Sequence, residues 1–158
     1  MARVLIIACG NPLRCDDGVA WHAAEMLRQT LPSGQAEILC FHQFTPELAE
    51  VASHADAVIF LDAAAKGTPG QVVSEPVGAE AADSHFSHHL APASVIALTR
   101  QLYGASPQAF VVSLCGECFD HGEELSPVVV AALPEFVGAV KKLVSQMSTN
   151  PSQGNFVE

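Results

Sequence analysis

Val4-Leu5-Ile6-Ile7-Ala8-Cys9, followed at once by Gly10-Asn11-Pro12-Leu13-Arg14-Cys15-Asp16-Asp17-Gly18, decides the fold. An apolar run without alternation marks a strand covered on both faces, because a strand with one wet face alternates apolar and polar side chains. Gly10 breaks the run, and residues 17–31 then carry Val19, Ala23, Met26 and Leu27 at helical spacing. Buried strand, turn and amphipathic helix are the opening of a right-handed crossover between parallel strands.

The pattern continues outward from this unit. Residues 36–41 and 56–62 read as two more buried strands, and between them Thr45 is expected to cap a helix over 46–53 with Pro46 at its first position. The turn Lys66-Gly67-Thr68-Pro69-Gly70 introduces a strand at 71–76, and a polar loop spans about 77–90. Pro92 opens a helix that Gly104 ends, and residues 108–114 make a fifth strand. Ser126-Pro127 opens a long helix to about Ser145, expected to be kinked or split at Pro134. The sequence therefore predicts an α/β fold: a single three-layer domain over residues 1–146, with a twisted, mainly parallel five-stranded sheet and helices on both faces. Residues 147–158 form a polar tail expected to fray. In such a sheet ligands gather beyond the carboxyl ends of the strands, where the strand order switches. The loops at 10–17, 62–70, 83–91 and 115–125 are the ones to inspect.

Composition narrows the function classes. The 158 residues are 49% hydrophobic and 15% charged, with mean hydropathy +0.29, which suits one well-buried domain. The apolar runs fall far short of the roughly 20 residues that span a bilayer. No export signal opens the chain, so a cytoplasmic protein without membrane contact is expected. Seven basic against seventeen acidic residues give a formal charge of -10, and no basic stripe offsets it, which argues against nucleic acid as partner. The cysteines are Cys9, Cys15, Cys40, Cys115 and Cys118, an odd number that makes no disulfide framework. Cys9 and Cys40 read as buried small hydrophobes. Cys115-Gly-Glu-Cys118 is a C-x-x-C, but a structural zinc site usually needs a second pair at matching spacing, and there is none.

Three of the loops hold residues that packing does not explain. Asp16 and Asp17 follow the first strand, where nucleotide-binding turns need glycine amides rather than carboxylates; G-x-G-x-x-G and the P-loop pattern are both absent. One of the two acids suffices to cap the following helix, which leaves the other for solvent or a ligand. Asp62 closes the run Val58-Ile59-Phe60-Leu61 and precedes three alanines, which offer it no partner. Ser84-His85-Phe86-Ser87-His88-His89 gathers three of the seven histidines just before the helix that Pro92 begins. Two carboxylates and an imidazole suit nickel, zinc or iron and leave a coordination position open. No G-x-S-x-G and no H-E-x-x-H is present, and Cys15 stands beside acids that disfavour a thiolate.

At these residues the sequence resembles the hydrogenase maturation endopeptidases, which remove a C-terminal extension from the large subunit of nickel–iron hydrogenases. The resemblance runs over about residues 3–145. It is carried by Gly10-Asn11 with Asp16-Asp17-Gly18, by Leu61-Asp62-Ala63 with Gly67 and Gly70, by Ser87-His88-His89 with Pro92, and by Gly122-Glu123-Glu124-Leu125-Ser126-Pro127. Ala20 and the C-x-x-C depart from the family pattern. The resemblance implies that Asp17, Asp62 and His89 are the metal-contacting and catalytic residues, His89 being preferred to His88 by its spacing from the proline. It also implies that the nickel arrives in the large-subunit precursor rather than being held by the free enzyme, and that cleavage follows a basic residue near the metal-binding cysteines. A monomer is expected. Water activation is left open between the metal and an Asp16 or Asp17 carboxylate. The alternative is a maturation chaperone or adaptor that binds nickel and cuts nothing.

Overall fold

The computed structural model describes residues 2–78 and 91–149. Strand β1 (Val4–Cys9) is buried along its whole length. A 3-10 turn at Cys15–Gly18 leads into α1 (Val19–Thr30). There follow β2 (Glu37–Phe41), α2 (Leu48–Ser53), β3 (Ala57–Ala64), β4 (Val72–Pro76), α3 (Pro92–Tyr103), β5 (Gln108–Cys115) and α4 (Pro127–Thr149). The five strands lie in the order β2-β1-β3-β5-β4. β1 pairs parallel with β2 and with β3, and β3 pairs parallel with β5. β4 alone runs antiparallel, on the edge beside β5. Residues 65–71, which join β3 to β4, are too few for a crossover helix, so β4 comes back in the opposite direction.

Alternate residues of the central strands feed two separate cores. Ile6, Ala8, Ile59, Leu61, Val112 and Leu114 pack against α1 and α4 through Ala23, Leu27, Phe136 and Val140. Leu5, Ile7, Val58 and Phe60 pack on the other face against Leu48, Val95 and Ile96 of α2 and α3. Phe44 meets Phe60 edge-to-face at 5.4 Å, a favourable aromatic geometry. The buried Thr99 hydroxyl ties α3 to the Ala49 carbonyl of α2 at 3.3 Å.

Two local expectations are corrected. Thr45 does not cap α2. Its hydroxyl donates to the Glu47 carboxylate, which holds that carboxyl below its usual range, and the helix starts only at Leu48 after a tight turn through Pro46. Nor is the last helix split at Pro134. α4 runs as one helix to Thr149, because Val129 before the proline and Phe136, Val140 and Val144 after it are all fully buried on the same sheet face. Tertiary burial outweighs the backbone hydrogen bond that a proline removes.

The sheet order places a switch between β1 and β3. From β1 the chain first moves outward to β2, then crosses back to the opposite side of β1 to form β3. Helices therefore leave on opposite faces, and a crevice opens outside the carboxyl ends of these two strands.

Candidate active site

That crevice is a cleft of about 550 Å³, and its lining includes Cys9, Asp17, His42, Asp62, Ala91 and Pro92. Its shape depends on two glycines. Gly10 has φ +150, and a Cβ there would stand 2.0 Å from the Asp17 carbonyl oxygen; a Cβ on Gly18 would stand 2.7 Å from the Pro12 Cα. Only hydrogen fits at either position, so segment 10–18 can fold back onto the end of β1.

Within this turn the two adjacent acids point to different partners. Asp17 Oδ2 accepts a hydrogen bond from the Asn11 amide at 2.8 Å, which sets the carboxylate at the cleft. Asp16 is completely buried. It accepts hydrogen bonds from the amides of Glu117 (2.7 Å), Cys118 (2.9 Å) and Ser126 (2.8 Å) and from the Ser126 hydroxyl (2.7 Å). Burial alone pushes the Asp16 carboxyl up, but these hydrogen bonds outweigh it and hold the group below its ordinary value. Neither acid caps the 3-10 turn or α1 with its side chain. The amides that Asp16 accepts from are not those of the following helix but those of the segment 117–126 that leads into α4. Asp16 is a structural tie, and its lone pairs are committed.

Asp62 stands at the end of β3, partly buried, with Oδ1 accepting from the Ala63 amide at 2.8 Å. Its carboxyl is pushed up to about 7, first by burial and then by the negative charge of Asp17, while the Ala63 amide pulls the other way. Two carboxylates that repel each other across a shared cleft, one of them half-protonated at neutral pH, are suited to receiving a cation or moving a proton.

The structure thus brings together two of the three residues singled out in the sequence, Asp17 and Asp62. His89 lies outside the described residues, as do His85 and His88. Among the described residues no three His, Cys, Asp or Glu side chains are grouped to hold a metal ion.

His42 also lines this cleft, and sequence reasoning missed it. It follows β2 and packs its ring against Trp21 at 5.3 Å, while the Trp21 indole N–H donates to the Phe41 carbonyl at 3.2 Å. An isolated histidine after a short strand carries no motif; its only signal is its place at a strand's carboxyl end. Cys9 is buried as expected, yet it also borders the cleft. Burial first, then Asp62, Cys40 and Asp17, push its thiol far up, so it stays neutral and is a poor nucleophile. Cys40 is only partly buried. The two cysteines of the C-x-x-C have separate partners: Cys115 donates to the Lys66 carbonyl at 3.3 Å, and Cys118 donates to Asp120 Oδ2 at 3.9 Å, near the Cys15 thiol.

No protein-family model and no curated protein matches the chain. Solved structures do. The hydrogenase maturating endopeptidase HybD from E. coli superposes with a TM-score of 0.74 at 24% identity, covering 91% of this chain and 93% of that one. The [NiFe] hydrogenase maturation protease HycI from Thermococcus kodakarensis KOD1 gives 0.75 at 18% identity, with 91% and 93% covered. An endopeptidase from Escherichia coli, solved in solution, gives 0.72 at 25% identity, with 99% and 95% covered. The fold is that of the hydrogenase maturation endopeptidases. On this maturation-endopeptidase fold, Asp17 and Asp62 of the present chain occupy the switch point, where an open α/β sheet binds its ligands.

Proposed function

We propose that the protein is an endopeptidase that removes the C-terminal extension of a nickel–iron hydrogenase large-subunit precursor, and that nickel already inserted in that precursor is its recognition signal. The observation that carries this reading is the placement of Asp17 and Asp62 in one cleft at the switch point of a maturation-endopeptidase fold. Each carboxylate gives one oxygen to a backbone amide, Asn11 for Asp17 and Ala63 for Asp62, so both groups are oriented before substrate arrives. Such preorganisation spares the reorganisation that a flexible acid would need.

The charge arrangement supplies the dependence on nickel. In the free protein burial and Asp17 keep a proton on Asp62 part of the time at neutral pH. A precursor bearing a divalent cation relieves the repulsion between the two acids, and Asp62 then ionises as the substrate docks. A precursor without the metal brings no such compensation and is held less well. His89, which precedes Ala91 and Pro92 of the cleft rim in the chain, is the third ligand in this reading. For the attacking water, Asp16 is unsuited as base because its oxygens are taken by the 117–126 segment. Asp17 and Asp62 remain, and a carboxyl near 7 is well matched to proton transfer at neutral pH. The protein acts in the cytoplasm as a monomer in transient complex with its precursor.

The test is a processing assay with nickel-loaded and nickel-free large-subunit precursor. Shortening of the loaded form alone is expected. Asp17→Asn, Asp62→Asn and His89→Ala should each lower processing at least ~100-fold while circular dichroism stays native. Equal cleavage of both precursors would remove nickel as the signal. Stoichiometric retention of nickel with no shortened product would favour a metal-holding adaptor instead.

A further inference from the structure

The C-x-x-C motif suggests that Cys115 and Cys118 work together, but the structure separates them. Cys115 is buried, 3% exposed, and its thiol is packed against the turn at 66–67, where a Cβ on Gly67 would come within 2.9 Å of the sulfur. Cys118 lies three residues further on, in the partly exposed loop after β5, with its sulfur 3.9 Å from Asp120 Oδ2. The Cys15 thiol is close enough to it for the two groups to interact electrostatically.

The backbones of these two cysteines belong to one hydrogen-bonded strip. The Cys15 amide donates to the Gly122 carbonyl at 2.7 Å, and the Asp16 amide donates to the Cys118 carbonyl at 3.0 Å. The Cys118 amide answers by donating to Asp16 Oδ2 at 2.9 Å, and Arg14 and Gly122 form a β-bridge. Two further features favour the contact. Cys15 has φ +49, the one non-glycine residue with a positive φ among the described residues, a conformation rarely adopted without a local reason. Gly122 leaves room for its sulfur, since a Cβ there would stand 3.0 Å from Cys15 Sγ.

We propose that Cys15 and Cys118 form a reversible dithiol–disulfide pair that exchanges with low-molecular-weight disulfides and, when oxidised, fastens the loop 10–18 to the loop 116–125. One cysteine, as its thiolate, attacks the small disulfide R–S–S–R, forming a protein–S–S–R bond and releasing R–S⁻, which takes up a proton. The second cysteine then loses its proton and displaces the remaining R–S⁻, which is protonated in turn. The protein dithiol is oxidised to a disulfide, and the small disulfide is reduced to two thiols. Both sulfurs lie in partly exposed residues, so a small disulfide can reach them. The bridge covers the same two loops that Asp16 already ties, and so it fixes the turn from which Asp17 projects.

The experiment uses the full chain equilibrated in mixtures of reduced and oxidised glutathione, quenched by alkylation, digested and analysed by mass spectrometry. The expected result is a Cys15 peptide joined to a Cys118 peptide with loss of two hydrogens, reversed by dithiothreitol. The urea midpoint should rise on oxidation, because the bridge closes a long loop in the unfolded chain. Cys15→Ser and Cys118→Ser should each abolish both effects, and Cys115→Ser should retain both. Having a variant on either side of the bridge guards against one that fails to fold. A Cys115–Cys118 bridge, glutathione adducts alone, or fully alkylated thiols in the most oxidising mixture would overturn the proposal. None of these readouts requires the protein to cleave anything, so they stand apart from the proposed processing activity.

Discussion

Asp16 and Asp62 show how burial gives neighbouring carboxyls opposite properties. Asp62 has few hydrogen bonds and a raised pKa near 7. Below its ordinary value of 3.8 it is protonated in both folded and unfolded chains and does not affect stability. As the pH rises from there to about 7 the unfolded chain ionises first, so stability falls, and above about 7 the penalty is complete. Relative to the parent, Asp62→Asn should therefore gain on the order of 2 kcal/mol by about pH 8, allowing for partial exposure, and show no such gain at about pH 4. Urea melts at the two pH values check this; a difference independent of pH would argue against the raised pKa. Asp16 has the reverse sign. Its lowered pKa gives stability that is present above the unfolded value and lost as the pH falls through the folded one. Asp16→Ala strands three amides and a hydroxyl and should cost about 3 kcal/mol near neutrality. Its deficit should shrink on acidification, as the parent loses the same contribution.

At the scale of elements, the strands and helices were legible where apolar period and terminators agreed. β1 is buried throughout and β3 from Ala57 to Leu61, and α3 lies between Pro92 and the left-handed Gly104, φ +66, as the sequence indicates. What escaped were features set by partners distant in the chain. Whether Asp16 or Asp17 faces the cleft depends on amides about a hundred residues away, and His42 enters it only because β2 lies beside β1. The surroundings of Cys118 were illegible for the same reason, since its thiol lies near Cys15 of the first loop. Pro134 does not split its helix. It is exposed within an unbroken 23-residue helix whose buried flank holds it in place. Pro134→Ala restores a backbone donor and a good helix former, so it should stabilise the protein by about 1–3 kcal/mol, read as a higher urea midpoint with unchanged m. No change would mean that the helix is already relaxed around the proline.

For the molecule as a whole, the two cores share their strands. β1 sends Ile6 and Ala8 to one layer and Leu5 and Ile7 to the other, and β3 divides Ile59 and Leu61 from Val58 and Phe60 in the same way. Neither layer can lose its packing without exposing the back of the other. Unfolding should therefore be a single transition, with far-ultraviolet circular dichroism and the fluorescence of Trp21, the only tryptophan, giving one midpoint. Separate midpoints would show that the layers melt independently. The Asp16 tie adds a consequence in time. A chain made from its amino end presents the first strand and its acidic turn early, yet the partners that hold this turn include Ser126, 110 residues later. The nascent protein has the residues of its cleft long before it has the means to position them. The cleft is set only when the start of the last helix has emerged, so a chain interrupted before that point carries both acids without their fixed arrangement.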